Sequence, residues 1–471
     1  MKQSHIFQSA WSFSRFIILL FGLLLLPWLG CKKEDDSLGG EPTECTDTLL
    51  FNDTLVFVDT VAPYEPKVKI FGFNFSPYIG LQDPNDGVQI TEEQIRQRLE
   101  LLRGYTEYIR TFGARNGLHE IPRLAREKNF KVFAGAWLSK DLAANDEEIA
   151  NLIAIGKAGF AEALVVGSET LLREDLTPAQ LAAYIEAIKA AVLGVPVTTA
   201  DSYANLIDAP AVRSACSFLF PNCYPFWENE HIDCAIYRLH LQYSSLLAVA
   251  DGKEIIISET GWPSDGGSQG AADATLVNAC EYFSQVQIWS KAMGLKTFVF
   301  SAFSENWKAN YEGPIGAHWG IFTESGQLKD CMKDFFDGAA AFNCKSCTAM
   351  VGGLNTPVIL FTSVPKYGSS ANLYGSVANV NPADFSVVVF IKVNNLYWVK
   401  PSYLSPRTPI DAEGCWKLDI TTGGNDPNAT EILAYLVPLS YTLPVINSGL
   451  SVIPAGIEQN AVGKVSVMRQ P

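Results

Sequence analysis

Short apolar runs alternate with longer amphipathic stretches along residues 67–343. Eight of the runs are rich in β-branched and aromatic residues, and most are apolar at nearly every position, as strands buried on both faces of a sheet are. These predicted strands span residues 69–75, 108–112, 131–137, 163–169, 195–201, 218–226, 254–261 and 297–303. The alternation is typical of βα units arranged around a parallel sheet.

The segments between the strands have helical periodicity. Residues 91–104 open with Thr91 and an acidic first turn, which predicts a helix capped by that threonine. Residues 145–156 predict a second helix with Asn145 as its N-cap, and residues 177–193 predict a third.

Eight strands and the intervening helices, spread over about 250 residues, match the size of a (β/α)8 TIM barrel. An open, doubly wound sheet is the alternative fold. No Gly-x-Gly-x-x-Gly turn follows the first strand and the sequence contains no Walker motif, so nucleotide binding has no support.

The pattern changes beyond the barrel. Residues 344–357 predict a linker, and residues 358–471 predict a small all-β sandwich that forms an accessory domain. Turn clusters separate its short alternating runs, which predict strands at residues 385–393, 396–399, 415–420 and 432–437.

The composition of the 471-residue chain is that of an ordinary globular protein, with 48% hydrophobic and 18% charged residues. Disorder is therefore expected only at the ends and in linkers. The formal net charge is −15. Because phosphate binding needs a basic face, this balance argues against a nucleic-acid partner and is explained most simply by solubility.

The N-terminal segment predicts a lipoprotein signal peptide at residues 1–30. A positively charged start precedes an apolar run at residues 16–26, which is too short for a membrane span. The Leu-Gly-Cys sequence ending at Cys31 resembles the end of a bacterial lipobox, which implies lipidation of Cys31. Ordinary cleavage and secretion is the alternative.

Residues 31–66 are polar and irregular, which predicts a tether and lead-in. The Lys-Lys-Glu-Asp-Asp run at residues 32–36 follows Cys31 at once and resembles the surface-export signal of Bacteroidota lipoproteins. The resemblance implies an exported protein, anchored by lipid in the outer membrane or at the cell surface of a Gram-negative bacterium.

The ten cysteines and five histidines do not suggest a metal site. Cys216 and Cys223 flank a predicted strand, and an extended chain at ~3.3 Å per residue holds them beyond disulfide reach. Cys344 and Cys347 have CxxC spacing, but no second pair or histidine cluster completes a zinc site. We expect a local disulfide or two buried thiols there, and neither a metal nor a cofactor.

Two apolar strands each lead into a glutamate, Glu169 and Glu259. In a barrel, side chains at the carboxyl ends of the strands line one opening. A carboxylate in such a place is costly unless it is paired, hydrogen-bonded or functional. Retaining glycoside hydrolysis needs two carboxyl groups about 5–5.5 Å apart, and these two glutamates are the candidates.

Three segments resemble the signature segments of glycoside hydrolase family 17, and they lie at residues 165–175, 256–266 and 298–308. The resemblance covers residues 67–335. The family contains endo-β-1,3-glucanases, β-1,3-1,4-glucanases and fungal wall glucanosyltransferases. The resemblance implies that Glu169 is the general acid/base and that Glu259 is the nucleophile.

The resemblance also implies roles for residues near this pair. Glu305 and Lys308 reproduce the family's Glu-x-x-Lys, which implies that they orient the catalytic pair and bind sugar hydroxyls; a structural salt bridge is a compatible alternative. Ser168 stands where plant members carry an asparagine and where fungal glucanosyltransferase-like members carry serine. Serine reaches less far toward the substrate than asparagine.

Other predicted strand ends supply candidate substrate-binding groups. Aromatic faces suit the apolar patches of pyranose rings, and polar side chains satisfy sugar hydroxyls. These candidates are Asn74, Tyr78, Arg110, Trp137, Tyr203, Asn222, Tyr224, Trp262 and Phe303. The motifs predict that Trp262 and Tyr224 lie at the mouth of the barrel. Arg110 is alternatively a buried partner that keeps Glu259 ionised.

The sequence therefore predicts a retaining glycoside hydrolase that cleaves laminarin-type β-1,3-glucan by double displacement. Its expected partners are a β-glucan and, through Cys31, a membrane. The alternatives are a β-1,3-glucanosyltransferase and a non-catalytic, surface-anchored glycan-binding lipoprotein. The presence of both glutamates with their flanking residues favours an enzyme over a binding protein.

Overall fold

Eight strands form a closed barrel in which every neighbouring pair is parallel. They are β1 (Ile70–Asn74), β2 (Thr106–Arg110), β3 (Lys131–Ala136), β4 (Ala163–Ser168), β5 (Val197–Ser202), β6 (Phe220–Asn222), β7 (Ile257–Thr260) and β10 (Thr297–Val299). A hairpin of β8 (Gly267–Gln269) and β9 (Ala272–Ala274) follows β7. The barrel order β1-β10-β7-β6-β5-β4-β3-β2 confirms the predicted (β/α)8 fold.

The computed structural model describes residues 65–345, 347 and 356–471. The predicted signal peptide, the predicted lipidation site at Cys31, nearly all of the tether and most of the linker lie outside the described residues. Within the described part of the chain, no helix combines the length and the apolar character that a membrane span requires.

Helices connect the barrel strands, and further helices follow the last barrel strand. The α-helices are α1 (Glu92–Leu101), α2 (Ile121–Glu127), α3 (Leu142–Lys157), α4 (Pro178–Ala191), α5 (Tyr203–Asp208), α6 (Pro210–Ala215), α7 (Ile232–Leu247), α8 (Leu276–Met293), α9 (Ala309–Glu312), α10 (Asp330–Phe336) and α11 (Ala455–Asn460). Short 3-10 turns lie at Pro84–Asp86, Leu118–Glu120, Asn306–Lys308, Pro314–His318, Pro382–Asp384 and Asp426–Asn428.

Two of the three predicted helix starts agree with the structure. The side chain of Thr91 caps α1, and Thr177 caps α4 in a reciprocal capping box with Gln180. The prediction for α3 was wrong. Asp141 caps that helix by accepting hydrogen bonds from two backbone N–H groups, and Asn145 lies one turn inside. Both residue types suit the N-cap, so residue type alone did not separate them.

Aromatic side chains fill the barrel interior. Phe133, Phe218, Phe220 and Phe298 belong to one buried cluster, and the contacting rings have centroids 5.1 to 5.8 Å apart. A Cβ atom on Gly72 of β1 would lie 2.4 Å from the ring of Phe298, so this position has no room for a side chain. The packed interior supports the strand ends above it.

The C-terminal part forms two antiparallel sheets. One contains β11 (Val358–Ser363), β12 (Leu373–Ala378) and β15 (Cys415–Leu418), and the other contains β13 (Phe385–Val393), β14 (Leu396–Lys400), β16 (Glu431–Pro438) and β17 (Gly463–Met468). Their facing sides share one core, with Phe361 and Trp416 opposite Val389 and Ile432. The predicted all-β sandwich is thus confirmed, although β11, β12 and β17 were not predicted.

The barrel and both sheets lie in one compact unit, Pro63–Pro471. The division into a barrel domain at residues 67–343 and a sandwich at 358–471 therefore stays a prediction. The described contacts across this junction include the hydroxyl of Tyr237 on α7, which hydrogen-bonds the hydroxyl of Ser376 on β12.

Disulfide bonds join distant parts of this unit. The described residues form the pairs Cys234–Cys347, Cys280–Cys331 and Cys344–Cys415. We expected a local disulfide or two buried thiols at Cys344 and Cys347. That prediction was wrong, because each cysteine forms a disulfide with a partner far away in the chain. Cys216 and Cys223 are buried free thiols, in agreement with the prediction that they do not pair with each other.

Candidate active site

Glu259 lies on β7 and is buried in a network of charged and polar groups, with an exposed fraction of 5%. Arg110 at the end of β2 is fully buried and donates a hydrogen bond to Oε1 of Glu259. Its guanidinium also donates to Oδ1 of Asn74 at 3.0 Å and to Oγ of Ser168 at 2.8 Å. The hydroxyl of Tyr224 donates to Oε2 of Glu259 at 2.8 Å. This network compensates the cost of burying an ionised carboxylate.

Glu169 follows β4 directly and has a left-handed backbone, with φ of 53°. Its backbone N–H donates to the carbonyl of Ala200 at 2.7 Å, which ties this residue to β5. Its side chain accepts a hydrogen bond from the amide of Asn222 at 2.9 Å. Desolvation and, second, the negative charge of Glu259 raise the pKa of Glu169 to about 7.

Asn222 connects the two glutamates. Its backbone pairs in register with Glu259 between β6 and β7, while its side chain reaches Glu169. The hydroxyl of Ser258 donates to Oδ1 of Asn222 at 2.5 Å, so the amide NH2 group faces Glu169. The arrangement brings together a carboxyl group that is easily protonated and a second one that is bound to a guanidinium, which is a pairing suited to acid and nucleophilic chemistry.

Glu305 and Lys308 form a buried pair, with 2.6 Å between Lys308 Nζ and Glu305 Oε2. Ser76 and the indole N–H of Trp307, at 3.0 Å, donate to the other carboxylate oxygen of Glu305. Desolvation and the charge of Glu305 raise the pKa of Tyr78 well above its usual range. The salt bridge expected as an alternative is therefore present, and it lies close to Tyr78.

Trp137 is the most exposed aromatic residue among the predicted binding groups, with an exposed fraction of 42%. The guanidinium carbon of Arg173 lies 4.2 Å from the centroid of its ring. Arg173 also donates to the backbone carbonyls of Leu138, at 2.8 Å, and of Ser168. One arginine thus joins the loop that carries Trp137 to the residue that precedes Glu169.

Two predicted aromatic binding residues prove to be core residues. Trp262 has an exposed fraction of 4%, its indole N–H donates to the carbonyl of Asp273 at 2.9 Å, and its ring packs against Phe226 and Tyr282. Its expected place at the mouth was wrong because the β8–β9 hairpin and α8 cover it.

Phe303 is similarly buried, with an exposed fraction of 2%, and the guanidinium carbon of Arg98 lies 3.6 Å from its ring centroid. It also packs against Phe75 and Phe322, so its ring has no face open to a sugar. The predicted strand at residues 297–303 was too long, because β10 ends at Val299, and the Phe303 side chain lies in the core.

Two other predicted binding residues, Tyr203 and Asn74, form hydrogen bonds with neighbouring protein atoms. Tyr203 donates its hydroxyl hydrogen to Glu228 at 2.8 Å. Asn74 accepts from Arg110 and donates to the carbonyl of Ser258 at 3.0 Å, so it holds the Arg110 network to β7.

An aromatic cluster beside Tyr224 was not predicted. Phe300 and Trp319 pack edge-to-face against the Tyr224 ring with centroids 5.8 and 5.5 Å away, and Trp227 packs against Trp319. Trp319 lies in the loop that follows β10, where no regular pattern marks it in the sequence. Only contacts in three dimensions bring it to the site.

Residues 72–320 match the protein family described as the BtgE/BtgC glycoside hydrolase domain. The chain is 29% identical over 275 residues to a glucan 1,3-beta-glucosidase of Saccharomyces cerevisiae, which covers 52% of this chain and 88% of that protein. It is 30% identical over 304 residues to a glucan 1,3-beta-glucosidase of Candida albicans, and this alignment covers 58% of this chain and 98% of that protein.

A solved structure with the same barrel is a glycoside hydrolase family 17 beta-1,3-glucanosyltransferase from Rhizomucor miehei. It is 28% identical, covers 56% of this chain and 96% of that chain, and has a TM-score of 0.51. An active-site mutant of that beta-1,3-glucanosyltransferase in complex with laminaritriose matches with a TM-score of 0.50.

Proposed function

This chain belongs to the BtgE/BtgC glycoside hydrolase family, and from this premise we propose that it is a retaining enzyme acting on β-1,3-glucan. The observation that carries the proposal is the contrast between two neighbouring carboxyl groups. Glu169 has a pKa raised to about 7, whereas Glu259 is bound by the guanidinium of Arg110. A retaining mechanism needs this contrast between an acid and a nucleophile.

The reaction proceeds by double displacement. Protonated Glu169 donates its proton to the glycosidic oxygen, and the carboxylate of Glu259 attacks the anomeric carbon as the bond to the leaving sugar breaks. Water then attacks the anomeric carbon of the covalent glucosyl-enzyme, its proton passes to the Glu169 carboxylate, and the bond between the sugar and Glu259 breaks, which restores both carboxyl groups. Tyr224 and Arg110 hold Glu259 in place through its two oxygens.

The substrate specificity rests on the similarity to relatives named glucan 1,3-beta-glucosidases. Trp137 offers an exposed ring near Glu169 for stacking against a glucose unit. Ser168 bonds Arg110 and lies 3.5 Å from Glu259, so it acts by supporting the nucleophile rather than by contacting sugar.

Glucanosyl transfer is the second candidate. The related Rhizomucor miehei structure is named a beta-1,3-glucanosyltransferase, and this chain spans 96% of it. In that reaction a sugar hydroxyl replaces water in the second step, with the same two glutamates in the same roles.

The N-terminal sequence supports export and lipid attachment at Cys31. One relative is named a cell surface mannoprotein, from Candida albicans, which agrees with activity outside the cell. We place the enzyme at the outer surface of a Gram-negative envelope, where a lipid at Cys31 anchors it and long glucans are accessible.

The proposal is tested by incubating the purified protein with laminarin, mixed-linkage glucan, pustulan and cellulose, and by resolving the products over time. We expect a ladder of β-1,3-linked oligosaccharides from laminarin, released first as the β-anomer, and no products from the Glu259→Gln variant. Products longer than a starting oligomer would favour the transferase. Laminarin that binds without turnover would contradict the enzymatic proposal and favour a glycan-binding protein.

A further inference from the structure

Three polar side chains spaced three residues apart lie along one side of α3: Asn145, Glu148 and Asn151. Each bonds the backbone of a loop that follows β2 or β3. Asn145 accepts from the N–H of Ser139 and donates to its carbonyl, both at 2.8 Å. Asn151 donates to the carbonyl of Ala114 at 2.8 Å. The helix therefore clamps two loops at the carboxyl end of the barrel, where substrates bind.

Glu148 holds both loops with one atom. Its Oε2 accepts hydrogen bonds from the backbone N–H of Ala114 at 2.6 Å and from that of Trp137 at 3.1 Å. A Cβ atom on Gly113 would lie 3.3 Å from the other carboxylate oxygen, so glycine at this position leaves room for the carboxyl group. Glu148 is buried, with an exposed fraction of 5%, and its described hydrogen bonds go to these two backbone N–H groups.

Trp137 is consequently held in two ways. Glu148 fixes its backbone, and the guanidinium of Arg173 covers its ring at 4.2 Å. Because 42% of the residue stays exposed, the held ring is available for a ligand. A stacking surface that is ordered before binding loses less entropy when the sugar arrives.

We propose that Glu148 is a positioning residue that sets the affinity for the glucan chain by fixing the orientation of Trp137. The proposal rests on the proposed function, because it takes a β-1,3-glucan as the ligand that stacks on Trp137. Glu148 bonds only the backbone of the two loops and has no contact with Glu169 or Glu259 among the described hydrogen bonds. The bond-breaking step should therefore change little when Glu148 is replaced.

The acceptor oxygen, rather than a negative charge, is the useful part of Glu148. Desolvation is the largest effect and raises the pKa of this group to about 7. The two backbone N–H groups and the charge of Arg115 oppose this rise, and the charge of Glu147 adds to it. Tyr78 also lies within reach of its charge. A glutamine keeps an oxygen that can accept both N–H bonds, whereas alanine or methionine does not.

A double-mutant cycle tests the proposal. Glu148→Ala, Trp137→Ala and the double variant are compared by KM and kcat on a β-1,3-linked glucose pentamer, and by calorimetric binding of the same oligomer. We expect Glu148→Ala to raise KM and Kd by about 3- to 10-fold with kcat nearly unchanged, and to add nothing in the Trp137→Ala background. Glu148→Gln should restore wild-type affinity.

Glu147→Ala is the matched control, because Glu147 is the neighbouring residue on α3 and pairs with Arg115 at the surface. It should leave KM unchanged. If Glu148→Ala does not fold, Glu148→Met replaces it, since methionine fills the space without an acceptor.

The proposal would be overturned if the effects of Glu148→Ala and Trp137→Ala on affinity were additive. It would also be overturned if Glu148→Ala lowered kcat by as large a factor as it lowered affinity, or if Glu148→Gln bound the oligomer as weakly as Glu148→Ala. A Trp137→Ala variant with wild-type affinity would do so too. Failure of the proposed function is distinguishable. A wild-type protein that bound the oligomer without cleaving it would contradict the enzymatic function, while the calorimetric affinities of the variants would still test the role of Glu148. A wild-type protein that neither bound nor cleaved the oligomer would reject the positioning role as well.

Discussion

Arg110 and Glu259 form an ion pair across the barrel, from the end of β2 to the end of β7, and neither side chain is more than 6% exposed. A guanidinium is planar and presents its donors in a fixed fork, so one Arg110 also serves Asn74 and Ser168. These bonds fix the carboxylate of Glu259 before a substrate arrives. Preorganisation of this kind is a major source of catalytic rate enhancement.

Replacing Arg110 by lysine should therefore impair catalysis more than binding. Lysine keeps the positive charge but cannot reach Glu259, Asn74 and Ser168 together. We expect Arg110→Lys to lower kcat on laminari-oligosaccharides by roughly 10²-fold, the effect of losing oriented electrostatic support, with a small change in KM. Steady-state kinetics measure both parameters.

A matched substitution separates this effect from general loss of structure. Arg213 is partly buried on α6 and donates to the backbone carbonyls of Leu206, at 2.7 Å, and Ile207. Arg213→Lys should keep the wild-type kcat. An Arg110→Lys enzyme with normal kcat would show that the fork geometry at Glu259 is not needed.

The pH dependence should report the protonation of Glu169. Its pKa is raised to about 7, and the proposed acid works only when protonated. kcat/KM should thus fall as the pH rises through about 7. The hydrogen bond from Asn222 stabilises the charged form and lowers this pKa. Asn222→Ala should raise the pKa further, so the alkaline limb of the profile should move to higher pH.

The control for this shift is Asn278→Ala, since the Asn278 amide is exposed and donates to the carbonyl of Asp273 at 3.0 Å. Its profile should coincide with that of the wild type. An alkaline limb that moves to lower pH in Asn222→Ala, or that is missing between pH 5 and about 9 in the wild type, would contradict the assignment of Glu169 as the acid.

The barrel was predictable because its strands are buried on both faces and read as continuous apolar runs. The same runs lead into Glu169 and Glu259, so the two carboxyl groups were found together with their strands. Asn222, Tyr224 and Arg110 were also among the predicted groups, and the structure places all three in contact with one of the glutamates.

The surroundings of Trp262 and Trp319 were not predicted, because they depend on which distant loops pack against these residues. Trp262 lies two residues after the end of β7, but the β8–β9 hairpin, a later segment, covers it. Trp319 joins the site from a loop without periodicity, and its ring lies against Tyr224. Local sequence patterns do not encode which distant loop packs on a given ring, and disulfide partners are hidden for the same reason.

Two disulfides hold the segment that follows the barrel. Cys347 is bonded to Cys234 on α7, and Cys344 is bonded to Cys415 on β15, with sequence separations of 113 and 71. Such long loops gain much stability from closure, so the Cys234→Ala/Cys347→Ala variant should lose about 2–5 kcal/mol of unfolding free energy.

This loss can be measured by denaturant unfolding with and without a reductant. Neither cysteine contacts Glu169 or Glu259 in the described network, so kcat at a temperature where the variant is folded should match the wild type. Reductant should lower wild-type stability further than that of the double variant, because the variant has one bond fewer to lose. Cys216→Ala, which removes a buried free thiol, should keep the full response to reductant. Equal responses in the wild type and the double variant would mean that Cys234 and Cys347 are not joined in solution.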